Sequence, residues 1–281
     1  MRSRFFAAAA GVALALTAAF DSSGSQAAQS ARRLVRVAAA SDLQFALAEI
    51  VSAFTVADPG IDVDVAYGSS GTYHAQILQR APFDLFLSAD MDYPRDLIAK
   101  GRAAQENAFV YAIGRIVLWA PRRSPIDVEH LGIQALKDSR IRHVAIANPL
   151  HAPYGRAAEA ALRHFGLEAV VKPMLVFGEN VAQAAQFVES GAAEAGIIAR
   201  SLALAPPMRG KGKYWEIPAD AHPPMEQGGL VLNAARDPDA AKRFREFLLS
   251  PSGTATLARY GFVLAPRRAG VRGGDPAPAA N

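Results

Sequence analysis

Short β-type runs alternate with helix-patterned stretches from about residue 34 to residue 260, which commits the chain to α/β layers with largely parallel sheets. Strand patterns lie at 34–38, 61–65 and 84–87, with one long strand at 113–119. Leu43, Leu47, Ile50, Val51 and Phe54 recur at helical spacing after the first of them, and Asp58-Pro59-Gly60 ends that helix. Further helices are predicted at 73–79 and about 93–100. A second set repeats the arrangement: strands at 143–147, 174–177 and 195–198, and helices at 156–165 and 181–189. Two such sets, in about 30–120 and 121–225, predict two lobes. A late strand at 230–232 and helices near 240–249 and 253–260 are expected to return to the first lobe.

Charge and composition remove several function classes. The 281 residues are 51% hydrophobic and 20% charged, too apolar for a chain disordered throughout. Cysteine is absent, which excludes disulfides, thiolate metal sites, iron–sulfur clusters and a cysteine nucleophile. The formal net charge of +4 is concentrated at the ends. Arg2, Arg4 and Asp21 leave +1 on residues 1–27, and Arg267, Arg268, Arg272 and Asp275 leave +2 on 265–281. The body between them carries +1, so no nucleic-acid partner is expected. Residues 1–27 read as a secretory signal peptide: two arginines, an uncharged run from Phe5 to Phe20, and Ser25-Gln26-Ala27 before a cut. An exported chain without disulfides is expected in the bacterial periplasm. Residues 265–281 lack periodicity and read as a disordered tail.

Four strand-to-helix turns hold the polar residues of interest: Ala40-Ser41-Asp42, Gly68-Ser69-Ser70-Gly71-Thr72, Ala152-Pro153-Tyr154-Gly155 and Glu179-Asn180-Val181. In α/β sheets ligands bind at the carboxyl edge of the strands. Helix starts there present unpaired N–H groups and the positive end of the dipole, which suits an anion. The competing reading is ordinary N-capping by Ser41, Ser70 and Asn180. A hydrolase would need Ser69 or Ser70 as nucleophile, with His74 and Asp84 as partners by residue type alone. The six histidines, His74, His130, His143, His151, His164 and His222, show no metal-ligand spacing, and no direct cation ligand is expected.

Across these turns the chain resembles the periplasmic molybdate-binding proteins of ABC transporters, the ModA family. The resemblance rests on Val37-Ala38-Ala39-Ala40-Ser41, Gly68-Ser69-Ser70-Gly71-Thr72, Asp84-Leu85-Phe86-Leu87-Ser88-Ala89-Asp90, Asn148-Pro149 with Ala152-Pro153-Tyr154-Gly155, Glu179-Asn180-Val181 and Arg259-Tyr260-Gly261-Phe262. It implies a two-lobed periplasmic-binding-protein fold of type II with a ligand cleft between the lobes. Lobe 1 would be 28–114 with 226–264, and lobe 2 would be 115–225. It implies a binding protein and no enzyme, without a cofactor, that takes molybdate or tungstate as ligand. Ser41 and Ser70 would donate hydroxyl and backbone N–H bonds, and Tyr154 and Val181 backbone N–H bonds. The partner would be a membrane permease and the protein a monomer. Some members carry a tyrosine donor after the strand at 195–198; here that position is Ala199. Another oxyanion such as sulfate, a secreted serine hydrolase and a signalling protein on the same fold are the alternatives.

Overall fold

A computed structural model of the chain describes residues 32–264. The signal peptide expected at 1–27 and the tail expected at 265–281 lie outside the described residues. The first stretch holds β1 (Arg33–Ala40), α1 (Gln44–Ala57), β2 (Ile61–Gly68), α2 (Ser70–Leu78), β3 (Leu85–Ser88), α3 (Asp92–Ala99) and β4 (Ala108–Ile113). The second holds β5 (Ile116–Pro121), α4 (Val128–Leu131), β6 (Val144–Ala147), α5 (Pro153–His164), α6 (Glu168–Val171), β7 (Leu175–Gly178), α7 (Val181–Glu189), β8 (Ala195–Ala199), α8 (Arg200–Ala203) and β9 (Gly212–Glu216). The chain then runs through β10 (Glu226–Val231), α9 (Pro238–Leu248) and α10 (Pro251–Arg259).

These strands form two five-stranded sheets, ordered β2-β1-β3-β10-β4 and β7-β6-β8-β5-β9. The orders correspond strand for strand. A central strand, β1 or β6, has parallel neighbours on both sides. One strand in each sheet, β10 or β5, runs against both its neighbours. The sheets are therefore mixed, where the sequence suggests largely parallel ones. The reason is connectivity. A helix that returns the chain within one sheet makes the next strand parallel. β5 and β10 instead arrive directly from the other sheet, so nothing imposes that direction.

The expected strand at 113–119 is two strands in two sheets. Ile113 pairs with Glu226 and bridges to Val263 in the first, while Ile116 pairs with Ala199 in the second. Gly114 and Arg115 connect them, and the Gly114 N–H donates to the Met225 carbonyl at 2.9 Å. The two crossover segments between the lobes are thus bonded to each other. Only Gly114 and Arg115 separate the apolar runs 108–113 and 116–120, too short a break for periodicity to show the change of partner.

Three apolar clusters hold the layers. One face of the first sheet buries Val35, Val37, Leu85 and Leu87 against Leu47, Ile50 and Phe54 of α1, Phe244 of α9 and Leu257 of α10. The opposite face packs Ala38, Phe86 and Leu230 against Tyr73 and Ile77 of α2 and Leu97 of α3. Successive strand residues point to opposite faces, so β1 serves both clusters. Phe54 and Phe244 meet edge-on with ring centroids 5.1 Å apart. The second sheet has its own core around Leu118, Trp119 and Ile146, with Leu162 of α5 and Val188 of α7. Each large apolar side chain buried in this way contributes about 1.5–3 kcal/mol.

Candidate functional site

In each lobe the central strand and its outer parallel neighbour end at a polar turn that starts a helix. β1 leads into a short 3-10 turn, Ser41–Leu43, and then α1; β2 leads through Ser69 into α2. β6 leads through Asn148–Ala152 into α5, and β7 through Asn180 into α7. Ser69 caps α2, its Oγ accepting from the Thr72 N–H at 3.3 Å. Asn180 caps α7, its Oδ1 accepting from the Ala182 and Gln183 N–H groups at 3.0 and 3.2 Å.

Ser41 and Ser70 are not caps, contrary to the capping alternative. Ser70 is the first residue of α2, and its Oγ accepts from the Ala89 N–H at 3.0 Å. Ser41 lies one residue past the cap position, Ala40, and its Oγ accepts from the Ala182 N–H of the other lobe at 3.3 Å. Each hydroxyl uses a lone pair in that bond and keeps its O–H proton for another acceptor. Tyr154 and Val181 stand in the first turns of α5 and α7, where their N–H groups have no carbonyl one turn earlier.

All four residues line one pocket between the lobes. Lobe 1 contributes Ala40, Ser41, Asp42, Gly68, Ser69, Ser70 and Ala89; lobe 2 contributes Ala152, Pro153, Tyr154, Asn180 and Val181. No lysine, arginine or histidine is among them. Ser70 is fully buried, and Ser41, Tyr154 and Val181 are each 3% exposed. Such a pocket offers hydroxyl and N–H donors at helix starts in place of a cation.

The lining also holds one acid. Asp42 is 1% exposed, and burial pushes its carboxyl from the ordinary 3.8 up to about 6. Hydrogen bonds from Gln227 Nε2 at 2.7 Å and Tyr154 Oη at 2.9 Å, both to Oδ2, oppose that rise, as do the nearby N–H groups of Asp42 and Leu43. Asp42 Oδ1 finds no hydrogen-bond partner among the described residues. The same burial and the adjacent Asp42 charge push the Tyr154 hydroxyl far up, so it stays protonated and donates.

Bonds across the cleft hold the lobes together around the pocket. The Gly71 N–H donates to the His151 carbonyl at 2.9 Å, and Ser69 Oγ meets His151 Nδ1 at 2.9 Å. Arg156 of α5 donates to Asp90 at 2.6 Å and to the Tyr93 hydroxyl at 2.9 Å. A Cβ on Gly71 would sit 2.6 Å from the His151 carbonyl oxygen, so the close approach requires glycine.

The residues a hydrolase would need are not brought together. His74 is bonded to Asp96, and Asp84 accepts the Arg36 and Arg236 N–H groups. Ser69 does meet a histidine, His151, but its Oγ is also the α2 cap and contacts Thr72 Oγ1 at 2.8 Å. Ala199 is fully buried at the end of β8 and supplies no hydroxyl.

Residues 35–263 match the family model for bacterial extracellular solute-binding proteins. The molybdate-binding protein ModA of Azotobacter vinelandii is 35% identical over 230 residues, which span 82% of this chain and 90% of that protein. ModA of Rhodobacter capsulatus is 34% identical, over 77% of this chain and 83% of that protein. The chain belongs to the ModA family. A solved structure of the Azotobacter vinelandii periplasmic molybdate-binding protein superposes with a TM-score of 0.76 at 30% identity, covering 83% of this chain and all of that one. Its relatives are solute-binding proteins, and this family member is a binding protein, not an enzyme.

Sequence reasoning named Ser41, Ser70, Tyr154 and Val181 but passed over Asp42, Gln227 and the Tyr154 hydroxyl. The available signal for Asp42 was its place between Val37-Ala38-Ala39-Ala40-Ser41 and Leu43, where a carboxylate has no charged neighbour. Gln227 carries no such signal, because its partners lie far away in sequence.

Proposed function

We propose that this chain is the periplasmic binding component of an ABC importer that captures molybdate, and tungstate as well, between its lobes. The observation that carries this reading is the convergence of four helix starts, with two buried serine hydroxyls, on a pocket without a cationic lining residue. Ser41 and Ser70 donate hydroxyl and backbone N–H bonds from one side, and Tyr154 and Val181 donate N–H bonds from the other. Several charge-assisted hydrogen bonds together balance a buried dianion. Donors fixed on helices hold a set cavity size, which favours the larger molybdate and tungstate over sulfate. The relatives named for molybdate support the choice of ion.

Lobe 1 would comprise 28–114 with 226–264 and lobe 2 115–225, a division supported by the partition of the strands between the two sheets. Hinge closure of these lobes over the ion gives a permease a shape to recognise. The binding protein acts as a monomer, needs no cofactor and is exported by residues 1–27. Among the described residues no helix is long and apolar enough to cross a membrane.

Titration calorimetry with molybdate, tungstate, sulfate and phosphate tests the reading. Molybdate and tungstate are expected to bind much more tightly than the other two. At about 100 times its dissociation constant, molybdate should stabilise the fold by roughly 2.7 kcal/mol. Equal stabilisation by phosphate would overturn size selection, and heat-silent titrations with no thermal shift for any of the four would overturn anion binding.

A further inference from the structure

The pocket reads as a site of neutral donors, yet it contains Asp42. A carboxylate beside a bound dianion in a water-poor cleft is repelled strongly, and the residues lining the pocket include no cation to offset it. We propose that Asp42 takes up one proton from solvent as the lobes close over the oxyanion, making ligand affinity proton-linked. This inference rests on the oxyanion-binding reading given above.

The placement of Asp42 supports the coupling to closure. Asp42 belongs to the first lobe, and Tyr154, whose hydroxyl donates to its Oδ2, belongs to the second. Gln227 of β10 closes the ring, its Nε2 donating to Asp42 Oδ2 at 2.7 Å and to Tyr154 Oη at 2.9 Å. Ser201 of the second lobe donates to the Asp42 carbonyl at 2.8 Å. The ring lies against the crossover segments. A Cβ on Gly114 would be 2.6 Å from Gln227 Nε2 and 2.7 Å from Tyr154 Oη, and the Gly114 N–H is bonded to Met225. Asp42 is therefore held by both lobes, beside the segments that cross between them.

The titratable groups that face Asp42 are Tyr154 from α5 and Tyr111 from β4; burial first, and then the Asp42 charge, push both hydroxyls up, so both remain neutral. Asp42 is the group in this cluster that changes charge near neutral pH, burial between the lobes as they stand here holding its carboxyl at about 6. Oδ2 already receives two donors, so the proton belongs on Oδ1, which is buried and has no partner among the described residues. A bound anion raises the proton affinity of Asp42 further. By reciprocity the proton raises the affinity for the anion, and affinity falls as pH climbs past the titration of the free protein.

The test is calorimetric titration of molybdate into the full mature protein in buffers of contrasting ionisation enthalpy, from about pH 6 to about pH 8. The wild type is expected to take up close to one proton per ion at the upper end, with Kd weakening towards tenfold per pH unit. Asp42→Asn keeps the acceptor for Tyr154 and Gln227 and cannot titrate, so its binding should show no proton uptake and a flat pH profile. Tyr154→Phe keeps the backbone donor but removes one bond to the carboxylate, so the fall in affinity should begin at higher pH. This second variant decides the matter if the asparagine protein does not fold. Molybdate binding by the wild type without buffer-dependent heat, or uptake that persists in Asp42→Asn, would overturn this inference and leave the binding function standing. Absence of binding to molybdate, tungstate and sulfate alike would overturn both.

Discussion

The two lobes share one sheet plan but address the cleft with different chemistry. Lobe 1 ends its central and outer parallel strands in serines, Ser41 after β1 and Ser70 after β2. Lobe 2 ends the matching strands, β6 and β7, in Pro153-Tyr154 and Asn180-Val181. Under the proposed reading a bound ion would meet side-chain hydroxyls as well as amides from lobe 1, and amides alone from lobe 2. The Tyr154 hydroxyl, the one lobe 2 hydroxyl at the pocket wall, is spent on Asp42. The same helix-start geometry can thus supply donors that mutation readily removes or donors carried by the backbone, which most side-chain changes leave in place.

The largest expected effect concerns the acid that lobe 1 adds to its donors. With its carboxyl raised from 3.8 to about 6, Asp42 binds more protons in the folded than in the unfolded protein across that window. Unfolding free energy should therefore fall as pH rises from about 4 through about 6, by roughly 3 kcal/mol from this group. Urea unfolding of wild type and Asp42→Asn at both ends of the window should show the loss in the wild type alone. Parallel pH profiles for the two proteins would remove Asp42 as the distinguishing charge of lobe 1.

Next come the donors themselves. Ser41→Ala and Ser70→Ala should each lose one hydrogen bond to a charged group, about 1.5–3 kcal/mol, or roughly tenfold to hundredfold in molybdate affinity. In lobe 2 the matching experiment is Val181→Pro. Position 181 opens α7, where proline is tolerated, and Asn180 before it is already extended, with φ −146° and ψ 176°. That change deletes the N–H while keeping the helix, and a loss of the same size is expected. Wild-type affinity in any of these three, by calorimetry, removes that residue from the site.

Smaller effects separate support from binding. Ser69→Ala should cost about 1 kcal/mol of stability on urea unfolding, because Ser69 caps α2. Its effect on affinity should be milder than that of Ser70→Ala. The smallest change is expected from Val181→Ala. It keeps the donor N–H, so affinity measured on folded protein should stay within about 0.5 kcal/mol of wild type. A large loss there would mean that lobe 2 reads the ion through side chains after all.

Much of this molecule is legible in order along the chain. Leu43, just before α1, and Leu47, Ile50 and Phe54 on α1 are buried as their spacing requires, with Val51 partly buried beside them. α7 opens at Val181 as expected, whereas α2 and α5 open at Ser70 and Pro153, three residues before the expected 73 and 156, because the turn residues there already belong to the helices. Short elements are harder to read: α4, α6, α8 and β9 span four or five residues each, too few for a period to emerge. The distinction between Ser69 as cap and Ser70 as pocket hydroxyl was within reach of motif matching, but local capping rules alone favoured the wrong serine.

By itself the amino-acid order determined the alternation of most strands with the longer helices, and that small, uncharged donors gather near the helix starts. These are consequences of interactions between residues a few positions apart. Tertiary structure alone decided that one apolar stretch divides at Gly114 between two sheets, that β5 and β10 run against their neighbours, and that Asp42, Tyr154 and Gln227 meet. Those outcomes depend on which distant strand or side chain completes a hydrogen bond. Asp42 and Gln227 are separated by 185 positions and share a donor and an acceptor because the chain crosses between lobes twice.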